Sequence, residues 1–131
     1  VKTLAVRQPW ATYIAEGTKT IEVRTWRTHY RGALLIVASG KPLQHADEDG
    51  DVWTLPTQCQ VCIVDLVDVR PMTPVDEAHA HVPSAPGLFA WCLENPRHVH
   101  PTPHRGRLNL YETPDASIAL LPNDGHYLDH A

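Results

Sequence analysis

The chain has 131 residues, 43% of them hydrophobic and 20% charged, and a net charge of −4; it can bury one modest core and is not a disordered segment. Its longest apolar run, Ala33 to Ala38, is too short to span a bilayer, and no signal-peptide pattern opens the chain. Three cysteines is an odd count for a secreted disulfide scaffold, so a cytoplasmic location is expected.

Val1 is not an ordinary initiator, which points to a trimmed Met or a few trimmed residues. Leu4 to Val6 reads as an opening strand. Gln8-Pro9-Trp10 starts a helix, with proline in the first turn where its missing N–H costs nothing. Trp10, Tyr13 and Ile14 recur at helical spacing, and Gly17 is a suitable stop. From Thr20 to Thr25 the pattern alternates: Ile21 and Val23 face one way, Thr20, Glu22 and Arg24 the other. Arg27 to Gly32 is a polar turn, and Gly32 to Ser39 is too apolar for anything but a buried strand. Lys41 to Trp53, with its acidic run, reads as a loop or short polar helix.

In the second half, Gln60 to Val69 is the strongest strand. Prolines break residues 71–86 into loop with one helical turn. Leu88 to Leu93 is a strand, followed by a loop holding Pro96, Pro101 and Pro103 and a last strand near Leu108 to Tyr111. These elements predict a single α+β domain over residues 1–131. It would be a small mixed or closed β-barrel with one main N-terminal helix, short peripheral helices and a frayed end over the last ten residues. No internal repeat or domain boundary is visible, and a monomer is expected.

The charge is unevenly spread. Residues 1–41 hold seven Lys and Arg against two acids, or +5, and the remaining ninety hold four against thirteen, or −9. The basic stretch is interleaved with Trp10, Trp26 and Tyr30, a mixture suited to stacking on bases as well as to pairing with phosphate. Its densest part is Gly17-x-Lys19-x-x-Glu22-x-Arg24. Spacing alone leaves two readings open. One is a surface salt bridge contributing about 0–1 kcal/mol. The other is a cleft floor where Lys19 and Arg24 hold an anionic or carbonyl oxygen and Glu22 acts as base or base-edge acceptor.

Four stretches together resemble the ASCH domain family of the PUA-like β-barrels. They are Leu4 to Trp10, Gly17 to Arg24, Thr25 to Gly32 and Leu34 to Ser39. The family hallmark G-x-K-x-x-E-x-R is met in full at Gly17, Lys19, Glu22 and Arg24, and Gly87 to Arg97 is similar to the strand and turn that close such barrels. The resemblance implies a cleft between helix and barrel suited to RNA or a nucleotide-like ligand. In some relatives it implies hydrolysis: ribonuclease action, or deacetylation of N4-acetylcytidine. The deacetylases share the lysine but carry a nucleophilic threonine where Glu22 stands. A carboxylate can activate water there but cannot replace the hydroxyl as acyl acceptor without a different intermediate. Relatives also often show histidine at the position of Val37, which would remove a polar group from the pocket wall.

Remaining motifs have structural readings. Cys59-x-x-Cys62 on a strand would point its sulfurs to opposite faces, so neither a metal site nor a redox pair is expected, and Cys62 and Cys92 read as small core residues. The histidines at 79, 81, 98, 100 and 104 lie in proline-rich loops, while His29 sits beside the basic stretch and can titrate against a phosphate. Trp10 and Trp91 read as core. The expected ligand-binding set is Gln8 at the rim, Lys19, Arg24 and Arg31 on phosphate or polar base atoms, Glu22 at a base edge or on water, and Trp26 stacking. The alternative is a small hydrolase acting on RNA or on an acylated pyrimidine nucleoside, with Lys19 and Glu22 as the reactive pair. An interaction module using the acidic half would need an exposed apolar patch, and the sequence offers no clear one. No cofactor, metal or membrane is expected in any case.

Overall fold

A computed structural model describes residues 1–122; the expected fraying of the last ten residues falls outside this range except for Pro122. β1 (Lys2–Arg7) leads through a cis Gln8–Pro9 bond into α1 (Trp10–Glu16), then β2 (Ile21–Arg24) and β3 (Gly32–Ser39). A hairpin of β4 (Leu43–Ala46) and β5 (Val52–Leu55) precedes the long β6 (Cys59–Pro71). A 3-10 turn (Pro74–Asp76) and the short α2 (Glu77–Ala80) lead to β7 (Phe89–His98) and β8 (Tyr111–Glu112). Six strands form one curled half-barrel sheet in the order β2-β7-β6-β3-β1-β8, and the hairpin stands apart. All its pairings are antiparallel except β1 with β3. The fold is therefore α+β, its sheet barrel-like but open, with β2 and β8 at the edges. Among the described residues no helix is long and apolar enough to cross a membrane.

The continuous apolar run of β3 is explained by burial on both faces. Leu34, Ile36 and Ala38 join the main core inside the curl, where α1 packs Ala11, Ile14 and Ala15 against Leu4, Val6, Leu66 and Trp91. Leu35 and Val37 point outward and are covered with Ile63 and Val99. A third cluster joins Ile21 of β2 to Met72, Ala80 and Ala90.

The structure departs from the sequence expectations in four places. Residues 41–53 are a β-hairpin and its turn, with Asp47 Oδ1 accepting from the Asp49 and Asp51 N–H groups to hold the acidic tip. β7 runs through Pro96, because a bulge between the Asp65–Glu94 and Ile63–Arg97 pairs takes the residue that cannot donate. The final strand is only Tyr111–Glu112, and Leu108 is exposed. The two cysteines of the Cys59–Cys62 pair both lie in the main core: a register shift places Val61 as an extra residue between the Val37–Gln60 and Ile36–Cys62 pairs and restores their common face. Both are free thiols, and burial pushes each thiol's pKa up.

Candidate functional site

The segment from Lys19 to Trp26 forms one wall of a cleft of about 710 Å³. For the chain to reach β2, α1 must stop, and Gly17 stops it in the left-handed region at φ +82°, where a side chain is strained. The Tyr13 carbonyl then accepts from the N–H groups of Thr18 and Lys19 at 3.0 and 3.1 Å, which pins the turn. Along β2 the alternation does the rest. Ile21 and Val23 pack against the third cluster, so Glu22 and Arg24 leave on the cleft side.

Lys19 is 2% exposed. Its ammonium donates to the Ala80 carbonyl at the end of α2, stands 3.7 Å from Glu22 Oε1 and lies 5.2 Å from the centre of the Trp10 ring. Burial pushes the Lys19 pKa below that of an ordinary lysine, the Glu22 carboxylate opposes the shift, and Arg24 adds to it. Glu22, 7% exposed, turns its other oxygen to Arg24, accepting from Nε at 3.0 Å and Nη2 at 2.7 Å. The same Nη2 donates to the Ala5 carbonyl at 2.8 Å. β2 is one edge of the sheet and β1 lies next to the other, so this bond ties the two sides of the half-barrel across its opening.

The opposite wall comes from Leu4, Ala5 and Arg7 of β1, from Ser39, and from the loop 106–109. That loop reaches the cleft because residue 106 is glycine: a Cβ there would lie 2.9 Å from the Ala5 Cβ and 3.4 Å from the Ser39 Cβ. It carries Arg107 to the rim, where its guanidinium lies 5.7 Å from the Tyr111 ring centre. Among the described residues the lining thus holds four cations, Arg7, Lys19, Arg24 and Arg107, against one carboxylate, Glu22. Trp26 lines the cleft and meets Trp91 nearly at right angles, the ring centres 4.8 Å apart, and Trp10 lines it as well as packing on the core.

Of the expected set, the structure brings together Lys19, Glu22, Arg24 and Trp26 and leaves two residues elsewhere. Gln8 is turned to the other side of α1. Its Oε1 accepts from Thr12 N–H and Oγ1 at 3.0 and 2.9 Å, and its Nε2 donates to the Pro56 carbonyl, so it secures the first turn of the helix. Arg31 donates to the Thr28 and Tyr30 carbonyls and stands 3.6 Å from Asp68, outside the cleft lining. His29 is exposed and outside it too. Val37 is packed on the outer face of β3, so a histidine's absence there takes nothing from this cleft wall. Sequence reasoning missed Arg7, Ser39 and the 106–109 loop. Only Gly106 between Arg105 and Arg107 hinted at the loop, and no local pattern links it to residues a hundred positions earlier.

The histidine-rich loops serve the frame. His81 donates to the Thr18 carbonyl at 2.8 Å and lies against Tyr13, and His104 joins Gln60 to Tyr111. Among the described residues no group of three or more His, Cys, Asp or Glu side chains is arranged to hold a metal ion.

Comparison with known proteins agrees with this frame. Among curated proteins the chain is similar to activating signal cointegrator 1 of Mus musculus, 28% identical over 111 residues, which is 73% of this chain and 19% of that protein. The human protein of the same name is 34% identical over 79 residues, 50% of this chain and 14% of its own length. The chain therefore spans less than a fifth of the curated relatives it matches. Among solved structures it is similar in fold to the ASCH protein of Zymomonas mobilis, with a TM-score of 0.63 at 11% identity over 88% of this chain and 89% of that one. A point mutant of that protein superposes with the same score. The ASCH domain family model matches residues 4–103, and the chain belongs to that family.

Proposed function

We propose that the cleft binds RNA or a nucleotide-like ligand, with Lys19, Arg24 and Arg107 towards phosphate or polar base atoms and Trp26 against a base. The observation that carries this is the lining: four cations and one carboxylate beside two tryptophans, in a chain whose overall charge is −4. A general anion binder would be basic throughout, whereas here positive charge is concentrated where flat aromatic faces are also available. Phosphate contacts would supply position and much of the affinity, and the enclosed wall around Glu22 would supply selectivity.

A hydrolytic reading draws on one observation. Lys19 is a buried amine with a lowered pKa, 3.7 Å from a carboxylate, and such an arrangement can activate water. Against it, the carboxylate that would take the proton from water already accepts from both Nε and Nη2 of Arg24.

Titration with single-stranded RNA and modified nucleosides, followed by product analysis of the same mixtures, tests both readings. The native chain should bind with an affinity that falls with salt, the Arg107→Ala and Lys19→Met variants should bind at least about tenfold more weakly, and every ligand should be recovered intact. A chemically altered ligand produced only by the native chain would replace the binding reading with the enzyme. An affinity untouched by both substitutions would sink the cleft as the site.

A further inference from the structure

Thr12 and Glu16, four residues apart on α1, face away from Trp10 and the cleft. On that side lies a second cavity of about 500 Å³, bounded by the β4–β5 hairpin and the start of β6. Its size is that of a small-ligand pocket. Tyr13 and Trp53 bring aromatic rings to its wall, and Pro56 and Pro101 add rigid apolar surface.

The charge of this cavity is opposite to that of the cleft. Among the described residues no lysine or arginine lines it, and its acid and base are Glu16 and His45. Glu16 is half-buried, and among the described residues its carboxylate accepts no hydrogen bond, its one charged influence being His45. Burial pushes its pKa up and His45, on the same wall, pulls it back, so the carboxylate has a basic neighbour but no hydrogen-bond donor. Gln60, 1% exposed, also borders the cavity; its Nε2 meets His104 Nδ1 at 3.2 Å while its Oε1 has no partner among the described residues. The Glu16 carboxylate and Gln60 Oε1 are open acceptors, and among the described residues no lysine or arginine stands beside them to hold an anion.

We propose that this second cavity binds a small planar nitrogen heterocycle bearing an amino group, uncharged or cationic and without phosphate, which donates to the Glu16 carboxylate and lies against Trp53 and Tyr13. The site is independent of the cleft and would stand if the cleft bound no nucleic acid. It differs from a nucleotide site in having, among the described residues, no lysine or arginine to hold a phosphate, and from a plain apolar void in presenting a carboxylate with no hydrogen-bond donor of its own.

The test is a titration of the 15N-labelled chain with 2-aminobenzimidazole, a planar amino heterocycle, followed at the Trp53 indole and the Glu16 amide. Saturable shifts at both positions are expected. Benzoxazole, which keeps the fused bicyclic ring but has neither the amino group nor a ring N–H, should produce none. Binding should weaken about tenfold in Glu16→Gln and again in Trp53→Ala, which sits on the exposed hairpin, while Arg107→Ala on the cleft should bind the probe like the native chain. The spectra themselves report that each variant is folded. Absence of a saturable shift at millimolar probe, equal affinity for benzoxazole, or native affinity in both Glu16→Gln and Trp53→Ala would overturn the proposal.

Discussion

Lys19 carries a charge where almost no water reaches it, and its neighbours decide whether that charge is tolerable. The Ala80 carbonyl, the Trp10 ring and Glu22 all favour the ammonium, yet burial outweighs them and its pKa lies below that of an ordinary lysine. The consequence for binding has a definite sign. An anion in the cleft needs the ammonium form, and a lowered pKa means that form is lost at a lower pH than for an exposed lysine. Affinity for a single-stranded DNA oligonucleotide, chosen to avoid alkaline cleavage, should therefore fall as pH rises from 7 to 9.5. In Lys19→Met the affinity should be uniformly weak and flat over the same range; a parallel decline in the variant would assign the pH dependence to another group. Glu22 holds the complementary position. Replacing it with the near-isosteric Gln leaves two cations facing each other with no counter-charge, which should cost about 3 kcal/mol of stability. Urea denaturation measures this, and a change under about 0.5 kcal/mol would mean that Lys19 and Arg24 find their balance elsewhere.

At the scale of elements, α2 is the support on which Lys19 rests, and a single carboxylate fixes it. Asp76 accepts from Arg70 at 2.7 and 2.8 Å and from the Thr73 N–H at 2.9 Å, in a reciprocal cap at the start of the turn. The Arg70 guanidinium holds the Asp76 carboxyl well below the usual carboxylate range, helped by the Thr73 donors and opposed by burial. A depressed pKa contributes stability above the unfolded value of about 3.9, and that contribution drains away as pH falls towards the folded value. Asp76→Asn should thus be less stable than the native chain by about 2 kcal/mol at pH 7, and the gap should narrow steadily below about pH 4. Thermal unfolding from pH 2.5 to 7 would show it, and a gap constant across that range would remove the charge from the account. How far such elements were legible depends on how local their causes are. The alternation from Thr20 to Thr25 was sufficient to put Glu22 and Arg24 on one face, because period two is a property of the strand alone. The β4–β5 hairpin was hidden, since Leu43, Val52 and Trp53 remain exposed and its acidic tip looks like any loop. The bulges at Val61 and around Pro96 were hidden for another reason: an extra residue in a ladder shows only against the partner strand.

For the whole molecule, the cleft exists because an open half-barrel brings two distant parts of the chain face to face. The hallmark segment supplies Lys19, Glu22 and Arg24, and β1 with the 106–109 loop supplies Arg7 and Arg107. The first wall was readable as a cluster of charges close in sequence; the second becomes a wall only after β1 has paired with β3 and Gly106 has settled on Ala5 and Ser39. This arrangement sets the salt response. Four cations offset by one carboxylate can neutralise about three phosphates, and each contributes about −0.7 to the slope of log affinity against log salt for a single strand. A slope near −2 is expected, far from zero despite the chain's negative total. Arg107→Ala should reduce its magnitude by about 0.7. Gly106→Val should do the same without removing any charge, because the new side chain cannot occupy the space against Ala5 and must lift the loop that carries Arg107. If Gly106→Val leaves the slope unchanged while Arg107→Ala reduces it, the loop adapts and close packing at residue 106 does not place the arginine. If neither variant changes it, the ligand leans on the hallmark wall alone, and the nucleic acid enters from the β2 side of the cleft.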